Sequence, residues 1–499
     1  MRTGLSILLM LLFTVPVIAQ ESDSTFSKYI ENTVKKFDLP SLSVGVLKDG
    51  KVIYSKGFGK KTADAKLSPD KQTMYAIASL SKAFTAAAMG MLVDEGKVNW
   101  DDKVKDHLPW FEMNDTYVSE NLTVEDLLCH RSGLITFDGD LLWYGSSYSR
   151  EETVRRIRHR EPTYGFREEF GYQNIMFMTA GEVIEAASGM SWDDFVKTRI
   201  LNPLGMKRTT SSFQEFSTDL NIAKPTLKGK EILMLSYDNC GATAALSSSS
   251  EDMLRWAQFW LNGGVVNGDT LLQPSTIKRI WSVHTTLPVG KFDEKNGTHF
   301  KGYGMGWFVM DYEGRKVIHH GGGLPGYITK FVVVPEEKLA IIAMTNDMSS
   351  IPSMMMYSAI DWSMGKPYEQ WAQTFYDFKT KGDKRELDMK NDRASTRNSE
   401  PMLLPLTDYV GTYRDDMYGD ASVIMGKDGL LISLIPTKEL FTGKMSPWDD
   451  HAFKFEHNDP FLTYGIANFD VDKDVVKGFK IDLPNYDFHF DKLDFKRVE

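Results

Sequence analysis

Cysteine is scarce in this chain of 499 residues, which contains only Cys129 and Cys240. Two cysteines cannot supply the disulfide framework that holds many small secreted domains together. A single bridge between them in an oxidising compartment and a pair of buried free thiols are both compatible with the sequence.

Basic residues are not in excess either, because the net charge is -10 at pH 7. A phosphate-binding surface needs clustered lysine and arginine, so nucleic-acid binding is disfavoured. The basic run at residues 155–160 is interpreted as the solvated face of a helix. The sequence contains no His-Glu-x-x-His motif and no paired-cysteine spacing, and we therefore expect no metal site and no cofactor.

Long apolar runs are absent after the N-terminus. An apolar stretch over residues 5–18, between a positively charged start and Ala19, is typical of a secretory signal peptide. The stretch is short for a membrane span, which needs about 20 residues. We therefore expect a signal peptide at residues 1–19, cleavage near Ala19, export to a periplasm or beyond, and no stable membrane span after cleavage.

What the chain does have is a serine and a lysine three positions apart at the start of an apolar helix, Ser79 and Lys82. On a helix these side chains share a face, so the amine can help to remove the hydroxyl proton. Poor solvation and the positive end of the helix dipole predict a Lys82 pKa that falls toward neutrality. The same spacing occurs at Ser68, Ser275 and Ser363, but none of these begins a long apolar helix. The alternative is that Ser79 only caps its helix.

A second pattern, Tyr172-Gln173-Asn174, precedes another apolar helix. The phenol of Tyr172 is suited to carry a proton between Ser79 and a leaving group, and the Asn174 amide to hold Lys82 or a substrate carbonyl. Taken alone, Tyr172 is better explained as a half-buried tyrosine of the core.

The third pattern is His319-His320 followed by three glycines and a β-branched run. Glycines next to a strand allow a ligand to lie against bare backbone, whose N–H groups stabilise an oxyanion, and His320 adds a polar group. A glycine-rich hairpin with a structural histidine is the alternative. A metal site is disfavoured because adjacent histidines on a strand point to opposite faces.

In this order, Ser-x-x-Lys, Tyr-x-Asn and His-x-Gly resemble the serine β-lactamase and penicillin-binding-protein superfamily, in the form of its class C-like branch of serine hydrolases. Residues 127–134 and 303–307 are similar to two further segments of that branch, and the resemblance covers residues 25–365. It implies catalytic roles for Ser79 as nucleophile, Lys82 as its partner and Tyr172 as general base or acid.

The resemblance also implies a substrate-binding set, which is Asn174, His320, Gly322 and Gly323. The backbone N–H groups of Ser79 and Gly323 match the family's oxyanion hole. His320 occupies the position that is lysine in many β-lactamases, which removes a permanent cation for a substrate carboxylate. An efficient β-lactamase therefore ranks below a peptidase or esterase.

The pattern of elements predicts an α+β fold in which strands from both ends of the first domain form one antiparallel sheet with a helical subdomain, as in β-lactamases and transpeptidases. The expected strands are 41–47, 51–58, 303–311, 315–319, 327–334 and 339–345. Short alternating runs from residue 401 onward predict a small antiparallel β-barrel and resemble lipocalin-like C-terminal domains. A structural or cleft-capping role is favoured for the barrel over a ligand in its interior. The expected divisions are a signal peptide at 1–19, a catalytic domain at 20–365, a helical segment (367–380) and linker within 366–400, and the barrel at 401–499.

The expected function is a secreted serine hydrolase that forms an acyl-enzyme on Ser79 and cleaves amide or ester bonds. Its partner would be a small molecule or peptide such as a D-residue peptide, cell-wall peptide, small ester or β-lactam. Fold and motif do not choose among these substrates, because that choice depends on the walls of the cleft. The alternative is a non-catalytic protein that binds penicillin or cell-wall peptide.

Overall fold

The computed structural model describes residues 24–62, 68–395 and 403–498. The signal peptide predicted at residues 1–19 lies outside the described residues. Within the described ranges, no helix is long and apolar enough to cross a membrane.

The first domain is built on an eight-stranded antiparallel sheet. Distant parts of the sequence close it, because the strand Ser41–Lys48 pairs with Leu339–Thr345. Both faces of these strands are buried, which suits their runs of Val, Ile and Ala. In spatial order the strands are Thr285–Leu287, Lys301–Tyr303, Phe308–Tyr312, Arg315–Leu324, Tyr327–Val334, Leu339–Thr345, Ser41–Lys48 and Lys51–Gly59.

Two strands differ from their predicted bounds. The strand expected over residues 303–311 is interrupted by a turn, because Gly306 has a φ of +75° and its missing Cβ would lie 2.8 Å from the Lys82 carbonyl oxygen. The strand expected at 315–319 continues to Leu324, since the glycines pair with the next strand along the sheet. We call Arg315–Leu324 the histidine strand and Tyr327–Val334 the lysine strand.

Helices cover both faces of the sheet and enclose two apolar cores. The helix Ser81–Asp94, in which 12 of the 14 residues are buried, is called the serine helix. The α-helices are Ser24–Lys36, Ser81–Asp94, Val104–His107, Thr116–Asn121, Val124–Cys129, Arg150–Arg156, Asn174–Ser188, Trp192–Val196, Asn202–Leu204, Phe213–Ser217, Gly241–Ala244, Ser250–Leu261, Pro274–Ile280, Lys291–Lys295, Ile351–Ser363 and Gln370–Ser395. Short strands outside the main sheet are Met74–Ala76, Thr209–Thr210, Thr226–Leu227, Lys230–Glu231, Ser247–Ser249, Val265–Val266 and Asp269–Thr270.

The helix Gln370–Ser395 is longer than the 14 residues that the sequence suggested (367–380). Residues 381–395, interpreted above as part of a polar linker, are helical and largely exposed. Their polar composition is therefore that of a solvated helix. Near the end of this helix, the Arg393 guanidinium donates a hydrogen bond to Asp482 of the C-terminal domain at 3.0 Å. Residues 396–400 lie outside the described residues.

The C-terminal domain is a closed barrel of eight antiparallel strands, which confirms the predicted barrel. Its first and last strands pair at Tyr413 and Arg497. Aromatic side chains fill the interior, such as Phe469 and Phe479, whose ring centroids are 5.2 Å apart. The strands are Gly411–Asp415, Gly419–Gly426, Gly429–Leu434, Thr442–Asp449, Ala452–Glu456, Gly465–Asp472, Val475–Asp482 and Phe495–Arg497.

The barrel docks on the helical part of the first domain. Tyr144 donates a buried hydrogen bond to Asp459 of the barrel at 2.7 Å, and its ring packs on Phe488 with centroids 4.3 Å apart. The His489 ring nitrogen bonds the Thr136 carbonyl oxygen at 2.8 Å. These contacts fix the barrel against the loop at residues 136–144. Cys129 and Cys240 are both buried and free, so the thiol alternative is the one observed.

Candidate active site

Ser79 lies in a tight turn that leads into the serine helix. The preceding Ala78 has a φ of +51°, a left-handed conformation that costs free energy for a residue with a Cβ. Neighbouring groups hold this turn: Ser81 Oγ donates to the Ala78 carbonyl at 2.7 Å, and Thr329 Oγ1 donates to the Ile77 carbonyl at 3.1 Å. The strained turn presents the half-buried Ser79 side chain to a cavity.

Lys82 is fully buried beneath Ser79. Its Nζ lies 3.1 Å from Ser79 Oγ, 2.7 Å from Asn174 Oδ1 and 3.3 Å from the Thr243 carbonyl oxygen. Burial lowers the Lys82 pKa to about 7, while the nearby Asp140 acts in the opposite direction. The direction agrees with the sequence-based prediction, and the physical cause is mainly desolvation.

Asn174 is held in one orientation by a residue that the sequence patterns did not single out. Its Nδ2 donates to Asp140 Oδ2 at 2.6 Å, and Trp143 Nε1 donates to Asp140 Oδ1 at 3.0 Å. The amide oxygen of Asn174 is therefore directed at Lys82. Asp140 is itself buried, which raises the pKa of its carboxyl well above the usual value.

Tyr172 contacts both members of the Ser79–Lys82 pair. Its phenol lies beside the Ser79 side chain, and its ring centroid lies 4.8 Å from Lys82 Nζ. Burial raises the pKa of the phenol, so the hydroxyl keeps its proton at neutral pH. This environment suits a group that passes a proton on rather than a resting phenolate.

His320 reaches the same place from the histidine strand. Its Nδ1 lies 2.6 Å from the Gly321 carbonyl oxygen, which can only accept, so Nδ1 carries the proton. The other nitrogen, Nε2, then accepts a 3.0 Å hydrogen bond from the Tyr303 hydroxyl. Burial lowers the pKa of His320 to about 3, and the ring is neutral under physiological conditions.

His130 is a further buried histidine at this site that had been noted only as part of the 127–134 segment. Its ring centroid lies 4.2 Å from that of Tyr172 and 4.5 Å from that of Tyr303. Its Nδ1 accepts from the Gln173 backbone N–H at 2.9 Å. His130 therefore supports both tyrosines and the loop that carries Tyr172.

Gly322 allows the histidine strand to approach the turn that carries Ser79. A Cβ at Gly322 would lie 2.2 Å from the Ile77 carbonyl oxygen and 2.4 Å from Thr329 Oγ1. Only glycine permits this approach. The next residue, Gly323, lines the cavity together with Ser79.

A cavity of about 570 Å³ joins these groups. Of the residues predicted from sequence, Ser79, Tyr172, Asn174, His320 and Gly323 line it, whereas Lys82 and Gly322 lie buried beneath the surface. The barrel supplies part of the wall through Phe461, Asp487 and Phe488. Within residues 24–62, 68–395 and 403–498, no group of three or more His, Cys, Asp or Glu side chains is arranged to hold a metal ion.

The model of the β-lactamase family matches residues 26–359, more than half of the chain. The chain therefore belongs to the β-lactamase family, as its motifs indicated. A second model, for a domain of unknown function (DUF3471), matches residues 395–497, which span the barrel.

Among curated relatives, the unguisins hydrolase ungD' of Aspergillus campestris is 26% identical over 448 residues, covering 82% of this chain and 79% of that protein. Protein flp of Staphylococcus aureus is 27% identical over 340 residues, covering 66% of this chain and 64% of flp. The solved octameric penicillin-binding protein homologue from Pyrococcus abyssi superposes with a TM-score of 0.63 at 21% identity, covering 94% of this chain and 99% of that one. At that identity the similarity to the archaeal structure concerns the fold.

Proposed function

We propose that this protein is a secreted serine hydrolase that cleaves amide or ester bonds through an acyl-enzyme on Ser79. The observation that carries the proposal is the 3.1 Å contact between Ser79 Oγ and a lysine amine whose burial lowers its pKa to about 7. A neutral amine at that distance can accept the hydroxyl proton near physiological pH. The relative from Aspergillus, named as a hydrolase, supports the same class of activity.

In the first half of the reaction, Ser79 Oγ attacks the substrate carbonyl while its proton moves to Lys82. The Tyr172 phenol donates its own proton to the leaving group as the carbon–nitrogen or carbon–oxygen bond breaks, and Lys82 returns a proton to Tyr172. In the second half, a water molecule loses a proton to the same pair and attacks the acyl-enzyme. The Ser79 oxygen leaves, recovers its proton and the acid product departs.

The oxyanion that forms in both halves needs hydrogen-bond donors that are already in position. We assign this role to the backbone N–H groups of Ser79 and Gly323, which line the same cavity. Losing one such donor costs on the order of 10²–10³ in rate. Gly322 serves this arrangement indirectly, because its lack of a Cβ lets the strand come close.

Peptides with D-residues and small esters are the favoured substrate classes, with β-lactams ranked lower. The ring nitrogens of His320 are both engaged by Gly321 and Tyr303, and the ring is neutral. His320 therefore lacks the fixed positive charge with which a lysine would pair with a β-lactam carboxylate.

Intact mass spectrometry with a fluorophosphonate or penicillin probe tests the nucleophile. We expect one adduct on the wild-type chain, none on Ser79→Ala, and an unchanged adduct on Ser275→Ala, an exposed serine with the same Ser-x-x-Lys spacing. Labelling that survives Ser79→Ala would place the nucleophile elsewhere.

A panel of p-nitrophenyl esters, D-alanyl peptides and nitrocefin then identifies the substrate class. Covalent labelling without turnover of any member would favour the alternative, a non-catalytic protein that binds penicillin or cell-wall peptide. Export is tested by the mass of the mature protein, which should begin at Gln20.

A further inference from the structure

A second lysine, the half-buried Lys330, lines the active-site cavity. It lies on the lysine strand directly opposite Gly321, the residue after His320. Its Nζ is 2.9 Å from Nδ1 of His319, which also lines the cavity. The His319 ring is stacked on Phe308, with centroids 5.5 Å apart and planes at 11°. A lysine head is thus fixed in the cavity next to the proposed catalytic centre.

Hydrogen-bond donors in this group are left unused. A charged lysine head only donates, so His319 Nδ1 accepts from it and the proton of the ring lies on Nε2. That buried Nε2–H has no hydrogen-bond partner among the described residues. Lys330 makes its one hydrogen bond within the described chain to His319, although an ammonium group has three donors. The remaining donors of the half-buried Lys330 are available to a ligand in the cavity, whereas the His319 Nε2–H is shielded from it.

Among the described residues, no carboxylate forms an ion pair with Lys330. Its neighbour Lys301 is paired with Asp293 at 2.6 Å, so Asp293 is already used. Burial, followed by the charge of Lys301, lowers the Lys330 pKa to about 7, with Asp293 acting against this. A bound anion would favour the charged form and offset the cost of desolvation. Of the carboxyl groups in the cavity wall, Asp140 is engaged by Asn174 and Trp143.

We propose that Lys330, oriented by His319, forms an anion subsite, and that the substrate carries a carboxylate in addition to the carbonyl attacked by Ser79. The inference rests on the proposed hydrolase function and specifies its substrate class. Lys330 lies on the neighbouring strand, outside the three sequence motifs, so its charge does not occupy the place of the β-lactamase lysine at His320, and the low rank of β-lactams is unchanged. Lys330 binds and positions the substrate, and the proton transfers remain with Lys82 and Tyr172.

The test uses three p-nitrophenyl esters with acyl chains of similar length: the glutarate monoester, the hexanoate and the 5-aminopentanoate. For the wild-type chain we expect kcat/KM to be highest for the glutarate monoester. Lys330→Met should lower its preference over the hexanoate on the order of 10–100-fold, mainly through KM, as loss of a charge-assisted hydrogen bond predicts. Lys330→Arg should restore part of the preference, and Lys230→Met, which removes a charge from an exposed strand, should leave it unchanged.

The ratio of kcat/KM for the glutarate monoester to kcat/KM for the hexanoate should also depend on pH. Lys82 affects both esters alike and cancels, whereas a charged Lys330 favours only the glutarate ester. The ratio of the two kcat/KM values reports on the free enzyme, so it should fall as pH rises through the Lys330 pKa of about 7. The titratable groups that face Lys330 are His319, His320, Lys301 and Asp293. Both histidines are neutral across this range because burial lowers their pKa values.

A binding measurement separates this inference from the hydrolase proposal. Monoethyl glutarate should bind the Ser79→Ala chain in calorimetry and lose affinity when Lys330→Met is added. Equal rates for glutarate and hexanoate esters, both dependent on Ser79, would overturn the subsite but not the hydrolase. Preference for the amino ester would overturn it as well and direct attention to Asp487. If no ester is hydrolysed, the proposed function fails, and the calorimetry alone decides whether the anion subsite exists.

Discussion

The regions around Lys82 and Lys330 each hold a lysine in poorly solvated surroundings at the same cavity, but the two lysines differ in the number of hydrogen-bond acceptors that contact them. Burial lowers both pKa values to about 7. Lys82 lies under the cavity surface and contacts three acceptors, whereas Lys330 lines the cavity and contacts one. A lowered pKa therefore does not by itself define the functional role of a lysine. A lysine with all its partners in place is suited to exchange protons, and one with donors to spare is suited to hold a ligand.

The largest expected effect comes from removing the two amines separately. Lys82→Met should lower kcat/KM for carboxylate and neutral esters alike, on the order of 10²–10⁴-fold, because general-base catalysis is lost. Lys330→Met should act chiefly on the carboxylate ester. Steady-state kinetics on both esters distinguish the two patterns. If both variants lost kcat/KM for the neutral ester equally and by a large factor, the two lysines would not have different roles.

The pH dependence of the neutral ester reports on Lys82 alone. Only the uncharged amine accepts the Ser79 proton, so kcat/KM should fall about tenfold per pH unit below the Lys82 pKa of about 7 and level off above it. A profile that stays flat from roughly pH 5 to pH 9 would contradict the assignment of Lys82 as base.

Two adjacent glycines of the histidine strand test whether its close approach to the Ser79 turn is needed for stability. At Gly322 a Cβ would collide with the Ile77 carbonyl beneath Ser79, whereas at Gly321, opposite Lys330, the nearest atom would be 3.7 Å away. Gly322→Ala should lower the free energy of unfolding by about 1–3 kcal/mol through overpacking. Gly321→Ala is the matched control in urea denaturation. Similar midpoints for both variants would show that the close approach is not needed.

The smallest expected effect concerns the histidines. His320 has both nitrogens engaged, and His319 has one. Tyr303→Phe removes the partner of His320 Nε2 and should cost about 1 kcal/mol of unfolding free energy. Tyr117→Phe, at a tyrosine that is 66% exposed, serves as control. No difference between the variants in urea denaturation would mean that the His320 contact contributes nothing.

Much of the site could be predicted from the sequence because two of its motifs lie where helices begin. Ser79 and Lys82 share one helical face, and Asn174 begins the next apolar helix, so local spacing already brought the right atoms into reach of one another. The barrel was likewise recognisable from short alternating runs.

Other parts depend on contacts between distant segments. Asp140 begins a short 3₁₀ helix without a motif, and nothing local indicates that its carboxyl accepts hydrogen bonds from Asn174 and Trp143. Lys330 occupies what reads as the polar position of an alternating strand. Its role depends on a neighbouring strand that presents Gly321 and His319. The extent of the helix to Ser395 was hidden because solvated helices and linkers share a polar composition.

The contribution of Phe461, Asp487 and Phe488 to the cavity wall makes the two domains interdependent. The bond-breaking groups come from the first domain, but a portion of what a substrate touches is encoded nearly four hundred residues further along the chain than Ser79. Exchanging barrels between relatives would therefore alter which molecules are accepted while leaving the chemistry intact. Divergence in this architecture can proceed at the C-terminus without disturbing a single proton-transfer group.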